Sequence, residues 1–143
     1  MRRGTANSSC RTAGFEDLLR RLDKATEPEL KEMTAMALLN IGYAWGELNR
    51  RDDELAAYDA LLKRFSASKD PDLQAQVAQA LYNKGVTLQA MNRVKAAEKP
   101  LREIVNRFEK ARGEELRELV ESARISLAEG DPVVDSPTAR NGH

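Results

Sequence analysis

The chain has 143 residues, 41% of them hydrophobic, which suits one domain with its own core. Its 23 basic and 23 acidic residues balance, leaving no electrostatic footprint for nucleic acid or an anionic membrane surface. Cys10 is the only cysteine, so no internal disulfide can form and a reducing, cytoplasmic setting is expected; no run approaches the ~18 apolar residues of a membrane span.

Residues 1–14, MRRGTANSSCRTAG, are rich in Arg and Ser and lack acids, as transit peptides do. They offer neither an apolar run nor an amphipathic helix, and read as a disordered leader. Abundant Ala, Leu, Glu, Lys and Arg then favour helices, and with 5% aromatics the packing must be aliphatic. A first helix is expected over 15–25, with Phe15, Leu18, Leu19 and Leu22 as its apolar stripe. A second runs over 28–48, opened by Pro28 and a capping box of Thr26 with Glu29. The third, 52–65, carries Leu55, Tyr58, Leu61, Leu62 and Phe65 on one stripe, and Asp52-Asp53 favours its dipole at the start.

A fourth helix spans 71–91. Asp70 is its N-cap and Pro71 its first residue, and Leu73, Val77, Leu81 and Leu88 form a stripe with Ala80 beside it. The fifth, 94–110, contains Pro100, which removes a hydrogen bond and clashes with the preceding turn at ~3 kcal/mol, so a kink or split near 96–100 is expected. The sixth covers 113–129 and opens on Glu114-Glu115. Breaks are expected at Asn49-Arg50, at Asn92-Arg93 and across 66–70, and residues 131–143 read as a disordered tail.

The chain repeats itself. ALLNIGYAWGELNR at 37–50 returns as ALYNKGVTLQAMNR at 80–93, 43 residues on, and the match extends without a gap over 28–50 and 71–93. YDALLKRF at 58–65 falls on LREIVNRF at 101–108 and, one period back, on FEDLLRRL at 15–22. Residues 114–124, EELRELVESAR, fall on PDLQAQVAQAL at 71–81. Gly42 and Gly85 recur at one place inside the long helices. Glycine there costs ~1 kcal/mol against Ala, so its recurrence predicts a helix crossing close to the backbone, with Ala37 and Ala80 nearby.

The string of a small residue, Leu, x, Asn, x, Gly, followed by Leu-Asn-Arg or Met-Asn-Arg and by Leu-Ala-Ala-Tyr-Asp and Leu-Leu-Lys-Arg-Phe, resembles tetratricopeptide repeats. It looks most like a bacterial subset with long repeats, in which Asn83 to Leu88 and Ala56 to Asp59 have their counterparts. The resemblance covers about residues 15–130, with a period longer than the family's usual ~34. It implies an all-α fold, a right-handed stack of antiparallel helix pairs of about six helices. Two residues depart from it: Glu54 stands where the family has a small residue at the helix crossing, which Ala97 keeps, and Pro100 interrupts the fifth helix.

No metal-binding, phosphate-binding or nucleophile motif occurs, and the sole histidine, His143, ends the chain, so no catalysis, cofactor or metal is expected. The resemblance implies a binding surface on the concave side, lined by the first helix of each pair. That places Met36, Leu39, Tyr43 and Glu47 there from the first copy, Gln79, Tyr82, Val86 and Gln89 from the second, and Ser122, Ile125 and Glu129 from the third. A clamp for a C-terminal carboxylate is not expected, because Leu39 with Tyr43 and Tyr82 with Val86 hold the places of its Lys and Asn. The expected function is a scaffold that holds a peptide or helix of a protein partner, with no role for nucleic acid or membrane. The alternative is self-association, or a regulatory segment of a larger protein, through a first helix whose partner helix is missing.

Overall fold

The computed structural model describes Asp17, Arg20 and residues 28–130. The leader, most of the first expected helix, Thr26 and the tail lie outside the described residues. The chain divides into two compact units, 1–34 and 35–143. In the first, Arg20 pairs with Asp17 at 3.2 Å, and the Thr34 hydroxyl donates to the Leu30 carbonyl at 2.8 Å.

Five helices are described: α1 (Pro28–Glu47), α2 (Arg51–Phe65), α3 (Pro71–Ala90), α4 (Val94–Phe108) and α5 (Glu114–Gly130). No strand occurs among the described residues, so the fold is all-α. Consecutive helices in the second unit pack on each other, α2 on α3, α3 on α4 and α4 on α5, and α3 also meets α5. Of the expected stripes, Tyr58, Leu61 and Phe65 of α2 and Leu73, Val77, Leu81 and Leu88 of α3 are buried, whereas Leu55 and Leu62 are half-buried; Leu101, Ile104 and Phe108 of α4 and Leu119, Val120 and Ala123 of α5 add to the core. The repeated glycines sit at equivalent crossings. A Cβ on Gly42 would overlap the Tyr58 ring, and one on Gly85 would lie 2.6 Å from Leu101 Cγ, the residue one period beyond Tyr58.

The helix ends follow local chemistry. The Asp70 side chain accepts from the Asp72 N–H at 2.9 Å and Pro71 occupies the first turn, as expected. The two Asn-Arg breaks are Schellman turns. Asn49 and Asn92 have φ of 60° and 66°. The Arg50 N–H reaches back to the Trp45 carbonyl and the Arg93 N–H to the Leu88 carbonyl, at 2.9 and 2.8 Å. Each arginine then starts the next helix: the Arg50 carbonyl accepts from the Glu54 N–H, and the Arg93 carbonyl from the Ala97 N–H. The Arg50 guanidinium also stacks 5.1 Å from the Trp45 ring centre and pairs with Asp53 at 2.7 Å. Asparagine tolerates this left-handed backbone and alanine does not. Asn92→Ala is therefore expected to cost about 1 kcal/mol in a urea titration, and Asn92→Gly to be neutral or better.

The expected split at Pro100 does not occur. α4 runs unbroken from Val94 to Phe108 with Pro100 buried inside it. The proline leaves the Ala96 carbonyl without its usual donor, but Ala96 is exposed, so water can serve that oxygen.

Candidate interaction surface

The surface expected on the long helices stands partly open. Met36 is 47% exposed, Tyr43 64%, Val86 38% and Ile125 50%. Glu47 and Glu129 are exposed, while Leu39, Gln79, Tyr82, Gln89 and Ser122 are half-buried. These positions recur: Tyr43 falls on Val86, and Leu39 on Tyr82 and Ile125, under the 43-residue shift. Packing of α3 on α5 puts the second and third sets on neighbouring helices. Of these sets only Tyr43 and Val86 are exposed apolar residues at one repeated position; large exposed apolar side chains are nonetheless the kind of surface that marks a protein contact. Leu48, at the end of α1, is a further exposed apolar residue that the expected surface did not include, at 62%.

Two of the polar residues at this surface are tied into the fold. The Gln89 amide donates to the Ser126 carbonyl at 3.0 Å and so holds α5 to α3. The Gln79 amide donates to Asn83 at 2.9 Å, within α3. Tyr58 donates to Glu54 Oε2 at 2.9 Å, the same oxygen that accepts from the Thr87 hydroxyl at 3.0 Å; Arg51 donates to Oε1 at 3.1 Å. Glu54 is 6% exposed and Thr87 4%, so a buried polar cluster sits at the junction of α2 and α3.

The sequence marks Glu54 as a departure at the helix crossing, and the structure shows what makes room for it. A Cβ on Gly46 would lie 2.8 Å from Glu54 Oε2. In the next copy the sizes are exchanged: Gln89 stands for Gly46 and the buried Ala97 for Glu54.

Burial raises the Tyr58 phenol well above its ordinary range, and its hydrogen bond to Glu54 and that residue's charge raise it further. The folded chain therefore keeps this proton after the unfolded chain has lost it. Stability from this group is fully present below about pH 10 and falls above it, by up to about 1.4 kcal/mol per pH unit. Tyr58→Phe is expected to flatten that alkaline loss, as read from urea midpoints across the range.

Nothing in the described residues suggests a small-molecule or metal centre. An open cleft of about 230 Å³ between Gln89, Val94, Glu129 and Gly130 is shallow, and the Gln89 amide on its wall is already engaged with the Ser126 carbonyl. No group of three or more His, Cys, Asp or Glu that could hold a metal occurs among the described residues. No described helix is long and apolar enough to cross a membrane.

The tetratricopeptide repeat family profile matches residues 36–68, which takes in the body of α1, all of α2 and the start of the connection to α3. No curated protein and no solved structure matches the chain. Within the matched segment lie the Gly42–Tyr58 crossing and the Asn49 turn, and both return one period later as Gly85–Leu101 and Asn92. By this match, residues 36–68 are similar to the tetratricopeptide repeat family, and the geometry of that segment is repeated once more along the chain.

Proposed function

We propose that the chain is a protein–protein interaction module, a cytoplasmic scaffold that holds a peptide or helix of a partner protein on the outward face of its long helices. It acts by surface complementarity, without a cofactor or a catalytic step. The observation that carries this reading is the exposure of a large apolar side chain on each long helix, Met36 and Tyr43 on α1, Val86 on α3 and Ile125 on α5, with Tyr43 and Val86 at corresponding positions. The relation to a repeat family built for extended binding surfaces supports it.

The test compares wild type with Tyr43→Glu/Ile125→Glu in a crosslinking capture, with helicity and mass checked first. Both residues are at least half exposed, so the fold should tolerate the change. Loss of a specific partner protein with the variant is the expected result. Unchanged capture would remove this face from consideration. A mass that rises with concentration would favour self-association instead.

A further inference from the structure

The charges around the exposed apolar residues are not a sample of the balanced chain. On α5, Ile125 has Glu118, Glu121 and Glu129 at i−7, i−4 and i+4, hence on its own face. Both arginines of that helix, Arg117 and Arg124, lie about a quarter-turn away. Arg124 is engaged with Glu109 at 3.8 Å and Glu121 at 3.9 Å. On α1, Tyr43 has Glu47 one turn on; on α3, the neighbours of Val86 at three and four residues are Tyr82, Asn83, Gln89 and Ala90, all uncharged. Among the described residues no salt bridge reaches Glu47, Glu118 or Glu129. The cations are placed elsewhere: Lys84 turns to Asp59 at 2.6 Å, and Arg107 to Ser66 and Glu103 on the α4 side.

We propose that the occupant of this surface is a basic amphipathic segment of a partner protein. Its apolar side rests on Tyr43, Val86 and Ile125, and its lysines or arginines meet Glu47, Glu118 and Glu129. This rests on the interaction-module reading and adds the chemistry of the partner. An acidic segment would meet like charge here, and so would a second copy presenting the same face. A neutral apolar segment would leave the carboxylates uncompensated beside the contact.

The experiment uses the full chain and three fluorescent synthetic peptides that share one Leu pattern, with Lys, Gln or Glu at the remaining positions. The Lys peptide is expected to bind about tenfold or more tighter than the Gln peptide and to weaken as salt rises. Glu118→Lys/Glu129→Lys should reverse the preference toward the Glu peptide, while Ile125→Asp should weaken every peptide. These are exposed positions, and circular dichroism checks that the variants stay folded. Equal binding of the Lys and Gln peptides that Ile125→Asp still weakens would overturn the basic-partner inference and leave the interaction surface standing. No binding of any peptide, or binding that Tyr43→Asp and Ile125→Asp leave intact, would overturn both.

Discussion

Glu54→Ala is expected to lower the unfolding free energy by about 3 kcal/mol. The carboxylate gathers three donors, from Tyr58, Thr87 and Arg51, and two of these belong to side chains buried to within a few per cent. Every buried side-chain nitrogen and oxygen among the described residues has a partner. Removing Glu54 strands the Tyr58 and Thr87 hydroxyls, and stranded buried donors cost far more than a made bond contributes. Replacing the whole group is a different matter. Glu54→Leu/Tyr58→Phe/Thr87→Val removes the donors with the acceptor and should stay within about 1 kcal/mol of wild type. Urea titrations of both variants decide it. A single variant as stable as wild type would mean that water reaches this junction and satisfies the hydroxyls.

The effect should also be located. Glu54 and Thr87 stand 33 positions apart and join α2 to α3. Their bond ties the first copy of the repeat to the second, while Gln89 and the Ser126 carbonyl tie the second to the third. In a stack whose elements touch only near neighbours, each junction carries its own share of stability. Amide exchange in Glu54→Ala should accelerate first in α2 and the α2-facing turns of α3, before α5 is affected.

How far the sequence disclosed this depends on whether a feature repeats. Asp70-Pro71 announces a helix start by local chemistry alone, and the structure has the bond. Gly42 and Gly85 disclose a crossing because an interior helical glycine needs a reason twice over. Asn49 and Asn92 mark breaks; that they are left-handed residues of Schellman turns was available from the same signal, since Asn is the usual stand-in for Gly there. The Glu54 network was not available. The period-mates of Thr87 are Ala44 and Gly130, so no pattern flags it, and its partner lies on another helix. The exposed surface lies between these cases. Periodicity fixes which residues share a face, but whether Leu39 and Tyr82 are half covered and Tyr43 open depends on how neighbouring helices close over them.

Pro100→Ala is expected to stabilise the chain by about 1.5 kcal/mol. One period earlier the same place holds Ala57, fully buried, so the site accepts alanine by the chain's own example. A proline inside a helix costs about 3 kcal/mol against alanine. The structure shows how α4 survives it: the helix stays whole, and the deprived carbonyl belongs to the exposed Ala96. Against the gain stands the buried ring, whose two extra methylenes contribute about 1.5 kcal/mol by their burial. The balance favours alanine. The gain should appear as a higher urea midpoint with an unchanged slope. It should also appear as slower amide exchange in the first turns of α4, because the new N–H closes the ladder just before Leu101 meets Gly85. Since α4 packs against both α3 and α5, protection should extend to α5 as well. A loss of stability instead would show that the ring fills space between α3 and α5 that a methyl group cannot, and that the proline is retained for packing.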